Sequence, residues 1–248
     1  MDLIDILAIF GSLAWLPYII QIISSYFKKA KLTITADNYL QVGFTTNGPI
    51  LNFSLAFLSE KKMSLINRID IELTHESKET QHFTWKWFEE ILLEMDMPAG
   101  GTIPYKKHQT AIAILVNENS LSEKKIGFQK EEFHIHNNKL THDVEEDYNN
   151  LKKSGQELSK IEAAQSYNKL IDHYKNSFNW KIGNYTAKII VYLSENHSFT
   201  KTVHFDLNNL EIRTLERNLE ICIKLFSRLF NPVTDAELKF EWINTSLS

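Results

Sequence analysis

Phe133-His134-Ile135-His136, followed by His142-Asp143, is the group whose residue types and spacing come nearest to chemistry. On a strand, His134 and His136 point to the same side, and imidazoles at that spacing can share a metal ion such as zinc. His142 and Asp143 would complete the ligand set if a turn brought a following helix start back over the strand. That constellation would serve a metal-dependent hydrolase. Against it stand Lys130, Glu131, Glu132, Asn137 and Asn138, the composition of an exposed edge and loop. Ligation also needs outer partners that spacing does not supply, so the working expectation is no metal and no cofactor.

A second cluster mixes aromatics with carboxylates: Trp85-Lys86-Trp87-Phe88-Glu89-Glu90, then Leu92 to Met97. As a site it would be an aromatic-walled groove with acid/base carboxylates. The plainer expectation is a strand whose tryptophans enter the core, running into a short helix with its glutamates in solvent. Pro98-Ala99-Gly100-Gly101 follows as a loop without the spacing of a phosphate loop.

The exclusions are broad. The chain contains no G-x-S-x-G, H-E-x-x-H, G-x-G-x-x-G or Walker A pattern. Its single cysteine, Cys222, has no disulfide partner within the chain and falls on an apolar helical stripe, which points to an inert thiol. A net charge of −4 with dispersed lysine pairs lacks the electrostatic footprint of nucleic-acid binding.

The positioning elements begin with a greasy leader. Ile6 to Phe27 carries no charge and one side-chain amide, Gln21. A helix of that length, at ~1.5 Å per residue, spans roughly the 30 Å of a bilayer core. Ile6, Phe10, Trp15, Tyr18 and Phe27 supply its apolar bulk, Gly11 and Ser12 a small patch for helix approach, and Pro17 a kink. Asp2 and Asp5 precede it, whereas Lys28, Lys29 and Lys31 follow and suit anionic headgroups. The positive-inside rule then places the N-terminus outside and the body, residues 31–248, in the cytoplasm. Residues 1–30 are thus expected to be a single-pass transmembrane anchor.

The body alternates with period two. Leu32/Ile34, Leu51 to Phe57, Ile69/Ile71/Leu73, Phe83/Trp85/Trp87, Tyr185 to Leu193 and Val203/Phe205/Leu207 each present one apolar face, as half-buried antiparallel strands do. Ala111 to Val116 reads as a central strand, Asn47-Gly48-Pro49 as a turn, and Leu238/Phe240/Trp242 as a short last strand. Helical spacing intervenes over about 141–179, with Thr141 as N-cap and Gly155 as a divider. It returns from Asn209 to Phe230 with the stripe Leu215, Leu219, Cys222, Phe226 and Leu229.

The start of one strand, Gly183-Asn184-Tyr185, resembles the tyrosine near a strand start in immunoglobulin-like sandwiches. The expected fold is therefore mainly β with helices (α+β): an anchor helix, then an immunoglobulin-like antiparallel β-sandwich with a helical insertion and a C-terminal amphipathic helix. The expected role is a membrane-anchored, non-enzymatic interaction or sensor module whose partners are the bilayer and a protein or a second copy of itself. The alternatives are a membrane-acting effector of a defence or toxin kind, whose kinked helix oligomerises or perturbs the bilayer, and the histidine-cluster hydrolase.

Overall fold

A computed structural model describes residues 15–27, 30–96, 102–194, 197–230 and 238–248. The elements in chain order are α1 (Leu16–Phe27), β1 (Lys31–Thr45), β2 (Gly48–Glu60), β3 (Ser64–His75), β4 (Thr80–Asp96), β5 (Thr102–Thr110), β6 (Ile114–Val116) and β7 (Leu121–Gln129). They continue with α2 (Glu131–Lys153), a 3-10 helix (Leu158–Ala163), α3 (Gln165–Ser177), β8 (Gly183–Leu193), β9 (Ser198–Leu207), α4 (Asn209–Phe230) and β10 (Ile243–Ser246).

The alternating segments become strands with one apolar face inward. In β8, Tyr185, Ala187, Ile189, Val191 and Leu193 are all buried; in β2, Leu51, Phe53, Leu55 and Phe57 are. Among the described residues every strand belongs to one ten-stranded antiparallel sheet of order β10-β1-β2-β7-β4-β3-β8-β9, with β5 on β4 and β6 on β3. Its two ends nearly meet. The His204 N–H donates to the Ser248 carbonyl at 3.0 Å and the Ser248 N–H to the His204 carbonyl at 2.9 Å. The expected sandwich of two sheets is therefore replaced by one sheet curled on itself. Register shifts at Ala36/Leu40, Ile66/Arg68, Trp85/Trp87 and Ile91/Leu93 mark the irregularities that add twist and allow the curl.

Helices close one end of this barrel. Phe133 of α2, Tyr174 of α3 and Phe226 of α4 meet edge-on or tilted, with ring centroids 5.1–5.4 Å apart around Tyr174. The Tyr174 hydroxyl donates to the Thr46 carbonyl at 2.6 Å, tying the plug to the β1–β2 turn. Burial pushes that phenol well above its ordinary value. The opposite end is defined by register: Lys31 faces Glu60, Ser64 faces Val116, Leu121 faces Leu58 and Ile66 faces Leu193. The chain from α1 enters there, at the far end from the plug.

Several expectations shift. Helix α2 starts at Glu131 rather than at Thr141, because Phe133 and Val144 are buried on one helical face while Ile135 is 62% exposed. Gly155, at φ +66°, follows the end of α2, as expected of a divider. The run from Ala111 is a strand only over Ile114–Val116, with Leu115 exposed on the outer face. The last strand is β10 rather than residues 238–242. Helix α4 spans Asn209–Phe230, with Leu215, Cys222 and Phe226 buried. Tyr185 keeps the local device of the sandwich tyrosine in a different fold: its hydroxyl accepts from the Lys181 N–H at 2.7 Å and donates to the Lys181 carbonyl at 3.0 Å.

Among the described residues no helix is long and apolar enough to cross a membrane, α1 being 12 residues. Ile6, Phe10, Gly11, Ser12, Lys28 and Lys29 lie outside the described residues; Gln21 and Phe27 fall within α1. Pro17 stands in the first described turn of α1, and the kink expected there depends on residues before Trp15, which lie outside the described residues.

Candidate functional site

The histidine cluster does not assemble. His134, His136, His142 and Asp143 all lie on α2, not on a strand. Residues two apart on a helix differ by roughly 200° in direction, so His134 and His136 diverge. His134 lies beside Asn138 in an exposed position, and His142 is exposed. Among the described residues no group of three or more His, Cys, Asp or Glu side chains is placed to hold a metal. What His136 does meet is His173 of α3, stacked at 5.7 Å, with Phe133 on His173 at 4.7 Å. That partner is distant in sequence and carries no local signal.

The tryptophan cluster divides across the sheet. The register slips between Trp85 and Trp87, so that Trp85 faces Phe128 inside while Trp87 faces Gly127 outside. The bulge at Lys86 cancels the alternation and turns Phe88 inward. Strand β4 runs on to Asp96, so the short helix expected after Phe88 is absent; Pro98 to Gly101 lie outside the described residues.

Trp87 is one wall of an open trough of about 440 Å³ on the outer face of the barrel. A Cβ on Gly127 would fall inside its indole, so the ring rests directly on the glycine backbone. The facing wall repeats the device: Trp242 rests on Gly43, again where a Cβ would clash. The two glycines lie across one intervening strand and two residues apart along it, which separates their backbone positions by about 12 Å.

The floor follows from register. Asn244, Gln41, Asn52, Gly127 and Trp87 face one another across β10, β1, β2, β7 and β4. Gln41 donates its amide to Asn244 at 3.0 Å. The Asn52 Oδ1 is buried with no hydrogen-bond partner. Such an orphan acceptor costs about 1–3 kcal/mol and marks a place where a donor from another molecule would be welcome. Alongside runs the row Lys125, Glu89, His108, in which His108 lies 3.8 Å from Glu89 and stacks beside Trp87 at 6.0 Å. Lys125 and Glu89 carry opposite charges side by side there, so the trough has no strong field of one sign.

Chemically, the arrangement offers two ring faces, a neutral amide floor and an orphan acceptor. It suits a neutral ligand with a flat face and a hydrogen-bond donor. Cys222 contributes nothing to it: the thiol is fully buried in α4, and burial pushes it up to about 12. The wall residue Trp242 and the floor residue Asn52 escaped sequence reasoning. Gly43 and Gly127, glycines inside strands, are the signals that could have found the trough, since such positions mark close approach.

Fold and site together define an α+β protein built on one nearly closed antiparallel sheet with a groove on its outer face. No protein-family model, curated protein or solved structure matches the chain.

Proposed function

We propose that this chain is a membrane-tethered, non-enzymatic sensor module, its barrel in the cytoplasm and the trough between Trp87 and Trp242 its recognition surface. One observation carries the tether. The apolar side chains of α1 lie open rather than packed into the core, with Tyr18 58%, Ile19 48% and Ile23 52% exposed. In water such a surface is unfavourable by about 25 cal/mol per Å², and a hydrocarbon environment removes that cost. In sequence the uncharged run reaches from Ile6 to Phe27, which as a single helix would have the length a bilayer requires. The lysines that follow favour a cytoplasmic barrel. Tethering holds the trough in a thin layer beside the bilayer and raises its effective concentration there.

Carbonate washing of membranes, followed by protease added from each side, tests the reading. The intact chain is expected to stay with the membrane, with the barrel cleaved only from the cytoplasmic side. Release into the supernatant, or cleavage from the other side, overturns it.

A further inference from the structure

We infer that the trough is one end of a saccharide-binding groove, which takes a neutral oligosaccharide laid lengthwise along β2. This rests on the reading of the trough as the recognition surface, and it names the ligand of that surface.

The hollow does not end at the two indoles. Gln41, Asn52 and Lys125, which line the trough, also line the next hollow along the barrel, beside Tyr39. Asp37, Ser54 and Lys125 carry it on into a third, which reaches Thr35 and Ala56. From Ile50 in the trough to Ala56 in the third hollow is a run of β2 about 20 Å long. A groove of that length accommodates a chain of rings rather than one.

Aromatic side chains punctuate it. Trp87 and Trp242 rest on the backbones of Gly127 and Gly43, so one side of each ring is used by the protein. Trp242 still has 37% of its surface exposed. Tyr39 faces Ser246 on β10, two residues from the pair of Gln41 and Asn244, and is 60% exposed. The negative face of an aromatic ring attracts the C–H groups on one side of a pyranose, whose hydroxyls then point sideways.

The side chains between the rings match those hydroxyls. The bond from Gln41 to Asn244 leaves the Gln41 Oε1 as an acceptor and the Asn244 Nδ2 with a donor. Asn52 contributes its unpartnered Oδ1, and Ser54 a hydroxyl. A sugar hydroxyl donates and accepts at once, so it satisfies both kinds of neighbour.

Other ligands fit this lining less well. Strand β2 is an inner strand, paired with β1 on one side and β7 on the other, so an extended peptide finds no main-chain ladder to join. The carboxylates of Asp37, Glu89 and Glu123 line the groove together with Lys124 and Lys125, and nothing there draws the phosphates of a nucleic acid. The same lysines, with indoles laid on backbone instead of gathered around one point, do not form a cage for a quaternary ammonium.

The test titrates the full chain, in phosphatidylcholine nanodiscs, with cellohexaose, mannohexaose, maltohexaose and chitohexaose by calorimetry. Adenosine and choline serve as flat and cationic controls. At least one hexasaccharide is expected to bind, its disaccharide several-fold more weakly, and with an affinity that salt does not change. Trp87→Ala, Trp242→Ala and Tyr39→Ala should each weaken binding about three- to tenfold. Urea melts check that the variants fold; Tyr39 is exposed enough for its variant to do so even where a tryptophan variant does not. No binding by any hexasaccharide, or binding that none of the three substitutions weakens, overturns the inference. Adenosine or choline binding instead, and depending on Trp87 and Trp242, overturns the saccharide and leaves the trough standing as the recognition surface. Binding by no probe at all overturns that surface as well.

Discussion

Asn218 holds the backbone of Glu241 through both ends of its amide: Nδ2 donates to the Glu241 carbonyl at 2.7 Å and Oδ1 accepts the Glu241 N–H at 3.0 Å. Asn218 is buried on α4, so this pair fixes the segment that carries Trp242 onto Gly43. Asn218→Ala removes both bonds and strands two backbone groups, which should destabilise the fold by about 1–3 kcal/mol in urea melts. Asn218→Asp keeps the acceptor but sets a carboxylate against the Glu241 carbonyl, and should be no better. A stability equal to wild type in both variants would show that the segment holds itself in place.

The orphan Asn52 Oδ1 makes a second prediction. If the trough keeps that acceptor for a ligand, the free protein carries its cost. Asn52→Val places a β-branched residue at a central strand position and deletes the orphan. It should raise stability by about 1 kcal/mol, measured as a denaturation midpoint at unchanged slope. A loss of stability would mean that Asn52 already has a structural partner.

Lys130 supplies a pH dependence. It precedes α2 with its Nζ 5.8 Å from the Phe83 ring, and burial brings its pKa down from the ordinary 10.5 to about 8, against the opposing pull of Glu132. Between about 8 and 10.5 the unfolded chain holds more protons at this site than the folded one, so stability rises with pH across that window. A cation at a helix N-terminus adds to the disadvantage. Lys130→Met should therefore melt higher at pH 7, by about 2–4 °C for each kcal/mol relieved, with the gap narrowing towards pH 10.5. A gap that does not change with pH would assign the effect to packing alone.

The sequence made β1, β2, β3, β4, β8 and β9 legible because each has one apolar face, and α4 because its stripe is regular and Pro232 follows, whereas β5, β7 and β10 escape that reading. It could not say whether the face opposite a strand belongs to a second sheet or to the far wall of the same one. Period two is identical in both cases, and the choice rests on register shifts such as Trp85/Trp87 that leave no mark in composition. The same bulge hid the trough, since unbroken alternation puts Trp87 inside. Glu131 to Leu140 misled for a related reason: Phe133 and Ile135 alternate, yet only Phe133 is buried, which a helix achieves as readily as a strand. The pairs that build the site, Trp242 with Gly43 and Asn218 with Glu241, are tertiary matches with no local pattern.

The stacked pair of His136 and His173 makes the last prediction. Burial, and then the neighbouring His136, lower the pKa of His173 below its ordinary 6.5, while a hydrogen bond with the Phe133 backbone opposes them. Its Nε2 is buried without a partner. In the neutral ring that atom is a bare acceptor; protonation would make it a donor with nothing to meet, facing a second imidazole. As pH falls below about 6.5 the unfolded chain takes up this proton first, so the folded state loses stability on the acid side. The strain falls on the contact between α2 and α3, the helices that plug the barrel. His173→Phe keeps the stack on Phe133 and removes the proton site, so its stability should change less than that of the wild type between pH 7.5 and 5.5. His136→Gln removes only the neighbouring imidazole and should give an intermediate slope. Parallel profiles for all three proteins, measured by urea denaturation at each pH, would place the acid sensitivity elsewhere.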